Sequence, residues 1–312
     1  MGIAPFRHFI ESQQLDREFL FSLFRDADDM RSNPKKYSGS LERKILATIF
    51  YEPSTRTRFS FEIAMLRLGG QVVSTENARE FSSAVKGESI EDTARIVGAY
   101  ADGIVIRHHE EGAVRRASEV SPAPVINGGD GKGQHPSQAL LDVYTIYRER
   151  DWLDSFKIAM VGDLASGRTV RSLAYLLGKF NDVSITFVSP PHLRMGDDIK
   201  GYLKKHGVEF SESESLAETL PEMDIIYMTR IQKERMNAAE YALAKGKFVI
   251  NEKTLQLIRK DARLLHPLPH VEEIDLPLEV ERKDPRIAYF RQAENGLYIR
   301  MALLRSLLGG NS

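Results

Sequence analysis

The chain has 312 residues, and its 43 basic and 44 acidic side chains give a formal net charge of -1 at pH 7. This balance predicts neither a nucleic acid nor a membrane surface as partner, and no apolar run approaches the length of a membrane span. The absence of cysteine excludes disulfides and thiolate zinc sites within the chain and is typical of a cytosolic protein. This length predicts two domains.

Short apolar runs alternate with amphipathic segments along the chain, which predicts a parallel, doubly wound α/β sheet in each half. Strands are predicted at 45–50, 72–73, 103–106, 124–126, 156–161, 183–188, 224–228, 248–250 and 263–265. Helices are predicted at 16–30, 55–68, 91–100, 139–148 and 293–308. The charge run at 148–151 is the predicted domain boundary.

Residues 54–57 (Ser-Thr-Arg-Thr) lie at the start of the predicted helix 55–68 and include no acid. A helix start exposes unpaired N–H groups and the positive end of the macrodipole, which favours a bound anion. The hydroxyls of Ser54, Thr55 and Thr57 and the forked donor of Arg56 therefore predict a phosphate site. The alternative is that Ser54 only caps the helix and the arginines are solvated. Arg58 cannot share a helix face with Arg56, so only Arg56 is assigned to the ligand.

Residues 50–58 (Phe-Tyr-Glu-Pro-Ser-Thr-Arg-Thr-Arg) resemble the carbamoyl-phosphate signature of the aspartate and ornithine carbamoyltransferases. The His-Pro-Leu-Pro motif at 266–269 and the Arg-Ile-Gln motif at 230–232 resemble the aspartate branch, and the resemblance spans nearly the entire chain. It implies a carbamoyl-phosphate domain at 1–148 and an aspartate domain at 149–292. It also implies that the C-terminal segment 293–312 packs back on the first domain.

The polar segment 75–88 lacks a persistent period and is predicted to be a mobile loop. Taken alone, its Ser82 and Lys86 are best interpreted as ordinary surface residues. The resemblance implies instead that they reach into the active site of a neighbouring subunit, in a homotrimer whose sites are shared between chains.

Arg107 ends a predicted strand, which is where open α/β sheets bind ligands, although an ion pair at the sheet edge is the alternative. The neighbouring His108 and His109 are a poor metal pair, and no metal site is predicted. His135 follows a glycine-rich turn, and Gln138 lies one helical turn further on, so both can face one pocket. The resemblance implies that His135, Arg107 and Thr57 contact the carbonyl oxygen of carbamoyl phosphate and that Gln138 contacts its nitrogen.

Arg168 and Arg230 follow predicted strands in the second half, and each could hold a carboxylate bidentately. The alternative is that they pair with local acids. The resemblance assigns Arg168 to the α-carboxylate of aspartate, and Arg230 with Gln232 to its side-chain carboxylate. It also assigns the backbone carbonyls of Pro267 and Leu268 to the carbamoyl nitrogen.

His270 stands where this family usually has arginine. The resemblance implies that this position helps to hold the domains together near an acid equivalent to Glu52, which Arg168 and Arg235 also approach. Imidazole is shorter than a guanidinium and only partly charged near neutral pH. We therefore expect domain closure to be weaker or more dependent on pH.

The resemblance implies attack of the L-aspartate amine on carbamoyl phosphate, giving carbamoyl aspartate and phosphate for pyrimidine synthesis without a cofactor. Two alternatives stay open at this point: a carbamoyltransferase for another amino acid, and a catalytically silent homologue that acts as a scaffold. The cytoplasm is the predicted location, and an organelle after removal of a transit peptide is the alternative. The sequence leaves open whether separate regulatory chains bind.

Overall fold

A computed structural model describes residues 4–231 and 246–309 of the chain. The chain divides into two compact units, the first comprising Met1–Tyr144 with Glu294–Ser312 and the second comprising Thr145–Ala293. The predicted domain boundaries lie after residues 148 and 292, whereas this division falls after residues 144 and 293. The difference at the first boundary arises because the helix there continues into the second unit, where its Glu149 pairs with Arg263 and Arg291.

The sheet of the first unit has four parallel strands in the order β2-β1-β3-β4. They are β1 (Ile45–Phe50), β2 (Gln71–Glu76), β3 (Gly103–His108) and β4 (Val125–Asp130). Residues 46–50 of β1 are all buried, because a central parallel strand is covered on both faces. β2 is added on one side of β1, and β3 and β4 are added on the other side. The switch point of the sheet therefore lies between the carboxyl ends of β1 and β3.

The helices α1 to α6 of this part of the chain are α1 (Arg17–Ser32), α2 (Thr55–Arg67), α3 (Ala78–Phe81), α4 (Ile90–Tyr100), α5 (Ala113–Val120) and α6 (Pro136–Arg150). Short 3₁₀ turns lie at Ser12–Gln14, Pro34–Tyr37 and Ser83–Lys86. Asp16 caps α1 by accepting from the N–H of Phe19, which satisfies one of the unpaired donors at a helix start.

The second unit contains a five-stranded parallel sheet in the order β10-β8-β5-β6-β7. Its strands are β5 (Phe156–Val161), β6 (Val183–Val188), β7 (Glu209–Ser213), β8 (Ile225–Met228) and β10 (Arg263–Leu265). The strands β9 (Ile250–Asn251) and β11 (Ile274–Asp275) form a separate pair. β6 and β7 are added on one side of β5, and β8 and β10 are added on the other side. The switch point of this sheet therefore lies between β5 and β8.

The helices α7 to α11 are α7 (Arg168–Leu177), α8 (Asp197–Lys205), α9 (Leu216–Thr219), α10 (Glu252–Leu255) and α11 (Leu278–Lys283). Short 3₁₀ turns lie at Pro191–Leu193 and Leu220–Glu222. Among the helices within 4–231 and 246–309, none has both the length and the apolar character that crossing a membrane requires.

The last helix, α12 (Tyr289–Leu308), returns to the first unit, as expected. Nη1 of Arg300 donates to Oγ of Ser60 at 2.8 Å, and the Ser306 carbonyl accepts from the N–H of Ala4 at 3.2 Å. The predicted α/β class, with two parallel sheets and a returning C-terminal helix, is confirmed.

Three local predictions are wrong. The predicted loop 75–88 contains the end of β2, the helix α3 and a 3₁₀ turn. The glycine-rich turn predicted before His135, residues 127–133, begins as strand β4 through Asp130. The predicted strand 248–250 is observed as Ile250–Asn251, outside the main sheet. Strand β7 was not predicted, because its residues are exposed or half-buried at a sheet edge.

Candidate active site

In the first unit, several predicted site residues follow the carboxyl ends of β1, β3 and β4. Ser54, Thr55 and Arg56 begin α2 directly after β1, Arg107 lies near the end of β3, and His135 follows β4. Parallel strands place their carboxyl ends at one edge of a sheet, which is where open α/β sheets bind ligands.

The backbone N–H groups in the first turn of α2 are not capped by the side chain of Ser54. Ser54 occupies the N-cap position but makes no side-chain capping hydrogen bond, and the first turn contains no acid. The Ser54 N–H donates to Oε1 of Glu76 at 3.2 Å. Thr55 and Arg56 are exposed, and among the described residues Arg56 forms no ion pair. This arrangement suits an anion at the helix start.

Arg58 differs from Arg56 because it is held by acids. Nη2 of Arg58 lies 3.1 Å from Oε2 of Glu76, and its Nε lies 3.9 Å from Oε1 of Glu62. Glu62 also accepts from the hydroxyls of Thr48 at 2.8 Å and Ser74 at 2.6 Å. The two arginines therefore have different surroundings, and only Arg56 is available to a ligand.

Thr57 and His135 meet at this edge of the sheet. Oγ1 of Thr57 lies 3.4 Å from Nε2 of His135, and Oγ of Ser137 lies 3.4 Å from Nδ1 of the same ring. All three residues are buried. The imidazole is thus flanked by hydroxyls, which can donate or accept according to its tautomer.

Arg107, near the end of β3, contacts a backbone carbonyl and an acid. Its Nη1 donates to the carbonyl of Gly128 at 3.4 Å, and its Nη2 lies 3.6 Å from Oε2 of Glu52. The edge ion pair considered from the sequence is therefore present. Both contacts are long for charge-assisted hydrogen bonds.

The buried carboxylate of Asp130 accepts hydrogen bonds that hold the loop before His135 in place. Its Oδ1 accepts from the side-chain amide of Asn127 at 3.1 Å and from the N–H of Gln134 at 3.0 Å. Its Oδ2 accepts from the N–H of Gly112 at 3.0 Å. Asp130 was not predicted from the sequence, because its donors come from different segments of the chain.

Gln138 lies in the first turn of α6, where Nε2 donates to Oδ1 of Asp142 at 2.9 Å. Asp142 is fully buried and Gln138 is 8% exposed. Asp142 was not predicted from the sequence, although its separation of four residues from Gln138 along a helix indicates that the two side chains can meet.

Ser82 and Lys86 lie in the segment that follows β2. The Ser82 hydroxyl donates to the carbonyl of Ala78 at 2.6 Å and accepts from the N–H of Ala84 at 3.2 Å. Lys86 is exposed, and within the described residues it has no acidic partner. The structure does not bring either side chain into hydrogen-bonding contact with residues 54–57 of the same chain.

In the second unit, Arg168 and Arg230 follow the two strands that flank the switch point. Arg168 is the first residue of α7, after β5, and Arg230 follows β8. The loop after β5 and the loop after β8 approach each other closely. A Cβ at Gly162, which has φ +119, would lie 2.3 Å from the Thr229 carbonyl oxygen. Only glycine fits there without strain. Gln232 and Arg235 lie outside the described residues.

The segment after β10 contains Pro267 and Leu268, and hydrogen bonds of the His266 ring support it. Nδ1 of His266 accepts from the N–H of Leu268 at 2.8 Å, and Nε2 lies 2.9 Å from Oε1 of Glu273. Leu268 has φ 57, a left-handed conformation that is costly for a branched side chain and needs support from its surroundings.

His270 has a partner in its own unit. Nε2 of His270 lies 3.2 Å from Oε1 of Glu281, a carboxylate that also accepts from the Tyr289 hydroxyl. The ring lies 5.3 Å from the Tyr289 ring, centroid to centroid. The role of His270 in joining the domains stays a prediction. No metal-binding cluster of histidine, aspartate and glutamate occurs within 4–231 and 246–309.

Comparison with known proteins identifies two matching family models. Residues 7–148 match the "Aspartate/ornithine carbamoyltransferase, carbamoyl-P binding domain", and residues 154–307 match the "Aspartate/ornithine carbamoyltransferase, Asp/Orn binding domain". "Aspartate carbamoyltransferase 3, chloroplastic" of Pisum sativum is 56% identical over 307 residues, which cover 96% of this chain and 77% of the pea protein.

Two solved structures are similar along nearly the whole chain. The "Catalytic subunit of M. Jannaschii aspartate transcarbamoylase" has a TM-score of 0.88 and 47% identity, with coverage of 97% of this chain and 98% of that chain. Aspartate transcarbamoylase from Trypanosoma cruzi in complex with N-(phosphonacetyl)-L-aspartic acid has a TM-score of 0.91 and 36% identity, with coverage of 98% of both chains.

Proposed function

This chain belongs to the aspartate/ornithine carbamoyltransferase family, and we propose that it transfers the carbamoyl group of carbamoyl phosphate to the amine of L-aspartate. The products are N-carbamoyl-L-aspartate and phosphate, at an early step of pyrimidine synthesis. The observation that carries this proposal is 56% identity to a pea aspartate carbamoyltransferase over 96% of the chain. The start of α2 supports it, because a helix start without acids is suited to a phosphate.

The phosphate group is held by Ser54, Thr55, Arg56 and Thr57. Free N–H groups at the start of α2 and the positive end of its dipole face the anion, and the exposed guanidinium of Arg56 supplies a bidentate contact. Lys86 and Ser82 of a neighbouring subunit close over the phosphate and help to exclude water.

The carbonyl oxygen of carbamoyl phosphate is held by Thr57, Arg107 and His135. These donors stabilise the negative charge that develops on this oxygen as the tetrahedral intermediate forms. The carbamoyl nitrogen donates to Gln138 and to the backbone carbonyls of Pro267 and Leu268. The pairing of His266 with Glu273 supports the backbone conformation of those two residues.

L-Aspartate is held through its two carboxylates. Arg168 binds the α-carboxylate, and Arg230 with Gln232 binds the side-chain carboxylate. The positions of both arginines at the switch point of the second sheet support this assignment. A dicarboxylate held in this way presents its amine in a fixed orientation.

The reaction proceeds by attack of the neutral amine on the carbamoyl carbon. A carbon–nitrogen bond forms, the bond from carbon to the phosphate oxygen breaks, and the departing phosphate accepts the amine proton. No residue of the chain becomes covalently attached, and the catalytic effect comes from orientation of the reactants and stabilisation of the oxyanion. The transfer consumes no cofactor.

We place the active sites at contacts between three copies of this chain. The surface of the first unit supports a homotrimer, because the exposed residues Phe59, Ile63 and Leu66 recur along α2 with exposures of 45%, 42% and 57%. Phe81 and Val85, beside Lys86, are 76% and 64% exposed. Exposed apolar surface of this kind is typical of a protein interface, and second and third copies of the chain are its proposed occupants.

Domain closure and location complete the proposal. Glu52, Arg235 and His270 are proposed to hold the domains together, which gives His270 a role beyond its pair with Glu281. We place the enzyme in the cytoplasm, and the pea relative named chloroplastic makes a plastid the second candidate. Fractionation of the source cells with an antibody to the chain would separate these locations.

The test is a product assay with the purified chain. Carbamoyl phosphate and L-aspartate are expected to give carbamoyl aspartate and phosphate in equal amounts, and the phosphonacetyl aspartate compound is expected to inhibit competitively against carbamoyl phosphate. L-Ornithine and other amino acids serve as alternative acceptors. Higher kcat/KM with another acceptor, or absence of any carbamoyl product, would overturn the proposal.

A further inference from the structure

The side-chain amide of Gln138 is held in one orientation by a residue that does not itself reach the proposed substrate. Nε2 of Gln138 donates to Oδ1 of Asp142 at 2.9 Å, one turn further along α6. An ionised carboxylate is only an acceptor, so it selects the NH2 side of the amide. Oε1 of Gln138 is therefore turned away from Asp142, and within the described residues it accepts no hydrogen bond.

A buried arginine on α12 balances the charge of Asp142. Arg300 is 3% exposed, its guanidinium carbon lies 5.0 Å from the centre of the Phe61 ring, and Nη1 donates to Ser60. Burial lowers the pKa of Arg300 to about 10, and the charge of Asp142 acts in the opposite direction. Arg300 thus stays protonated near neutral pH and interacts electrostatically with Asp142.

The fold makes room for this arginine. Gly296 lies one turn before Arg300 on α12, and a Cβ at position 296 would lie 2.7 Å from Nη1 of Arg300. Asp142 is fully buried and Arg300 nearly so, so the two charges interact more strongly than they would in water. The orientation of Gln138 is consequently built into the packing of α6 and α12.

We propose that Asp142 is a positioning residue that presents Oε1 of Gln138 to the carbamoyl nitrogen and so lets the site distinguish a carbamoyl group from an acetyl group. This inference rests on the proposed function, in which Gln138 contacts that nitrogen. A carbamoyl group offers N–H donors where an acetyl group carries a methyl. An acceptor fixed opposite a methyl stays unpaired and costs binding free energy.

The experiment compares two ligands of the same enzyme: the KM of carbamoyl phosphate and the inhibition constant of acetyl phosphate. Asp142→Leu removes the acceptor, so the Gln138 amide can turn its NH2 towards the substrate. We expect the KM of carbamoyl phosphate to rise about tenfold, while the inhibition constant of acetyl phosphate changes less than about twofold. Asp142→Asn still accepts a hydrogen bond but can also donate one, so its effect on this KM is expected to be about twofold.

Two further variants keep the test decisive. Asp142→Leu leaves the charge of Arg300 without its balance and could fail to fold. The double variant Asp142→Leu/Arg300→Met replaces both charges with apolar side chains and is expected to show the same loss of discrimination. Asp29→Leu is the matched control, because Asp29 accepts from Nδ2 of Asn33 at 2.7 Å, four residues further on and just after the end of α1. Asp29→Leu is expected to leave both constants unchanged.

A double-mutant cycle separates positioning from a general structural effect. In a Gln138→Ala background, Asp142→Leu is expected to add no further change in the KM of carbamoyl phosphate, because its effect acts through Gln138. The inference is overturned if both ligands weaken together, if neither constant moves, or if Asp142→Leu still acts without Gln138. A wild-type chain that makes no carbamoyl aspartate would instead contradict the proposed function itself.

Discussion

Nε2 of His266 lies 2.9 Å from Oε1 of Glu273, and both side chains are buried. Because Nδ1 of the same ring accepts from the N–H of Leu268, the proton of the neutral imidazole is on Nε2 and faces the carboxylate. This pair joins the segment that follows β10 to the segment before β11, and it supports the left-handed backbone of Leu268.

The first prediction concerns the stability contributed by this pair. Burial acts to raise the pKa of Glu273, but its hydrogen bond to His266 and its backbone donors bring the net value below the ordinary 4.5. A lowered pKa in the folded state contributes stability above pH about 4.5, and this stability is lost as the pH falls through the folded value. Glu273→Gln should therefore be less stable than wild type at pH 7, by about 1 kcal/mol.

The measurement is denaturant unfolding of wild type and Glu273→Gln from pH 7 down to pH about 3. The difference in unfolding free energy is expected to shrink as the pH falls below 4.5. If the difference stays constant over this range, the charge of Glu273 does not contribute to stability. If the difference grows as the pH falls, the pKa of Glu273 is raised and not lowered by folding.

The second prediction separates Arg56 from Arg58. Arg56→Ala should lower kcat/KM for carbamoyl phosphate by about 100-fold or more, because it removes a bidentate contact to the phosphate. It should leave thermal stability unchanged, since Arg56 is exposed and forms no ion pair within the described residues. Arg58→Ala should lower stability, because Glu62 and Glu76 lose their partner.

Inorganic phosphate provides a second readout for this pair of variants. Phosphate is expected to raise the midpoint of thermal unfolding of wild type by linkage, and to raise it much less in Arg56→Ala. Equal protection of wild type and Arg56→Ala would place the phosphate elsewhere.

The third prediction tests whether active sites are shared between chains. Arg56→Ala and Lys86→Ala should each be nearly inactive. When the two variants are dissociated, mixed and reassembled, some sites should receive Arg56 from one chain and Lys86 from another, and activity should return. No recovery in mixed trimers would assign Lys86 to the site of its own chain.

The exposed apolar residues of α2 supply a control for the trimer. Leu66 is 57% exposed. Its replacement by glutamate should be tolerated in a monomer but should disrupt an apolar interface. Leu66→Glu is therefore expected to give monomers in light scattering and to lose activity. A fully active trimer of this variant would show that the interface lies on another surface.

The fourth prediction concerns Glu149 in the second unit, whose Oε2 lies 2.8 Å from Nε of Arg263 and whose Oε1 lies 2.7 Å from Nε of Arg291. Glu149→Gln removes the counter-charge of the half-buried Arg263 and of the more exposed Arg291, and it should lower the unfolding free energy by about 1 to 2 kcal/mol. The control is Glu279→Gln, since Glu279 pairs with Lys283 at a side-chain exposure of 76%. That change should stay within about 0.5 kcal/mol, as expected for an exposed pair.

The prediction of the central strands succeeded because their sequences carry a physical signal. Residues 45–50 and 156–161 are apolar along most of their length, as a parallel strand covered on both faces requires. Residues 209–213 (Glu-Phe-Ser-Glu-Ser) lack this signal because β7 lies at the edge of its sheet. Residues 78–86 form helices too short for a period to be recognised.

Site residues could be proposed from the sequence where a single segment contains several of them. The spacing of Arg56 and Arg58 assigned them to different surroundings, and the observed ion pairs of Arg58 agree with this. Asp130 could not be found in the same way, because its donors come from Gly112, Asn127 and Gln134 and meet only in the folded chain. The proposed contacts of each site residue with a substrate stay predictions.

The division of the chain has a consequence for its biosynthesis. The first unit is discontinuous, since it is completed by Glu294–Ser312, whereas the second unit is formed by the uninterrupted stretch Thr145–Ala293. A ribosome therefore releases every residue of the second unit before it releases the partners of Ser60 and Ala4 on α12. The nascent first unit therefore cannot cover the side chains around Phe61 until α12 has been translated.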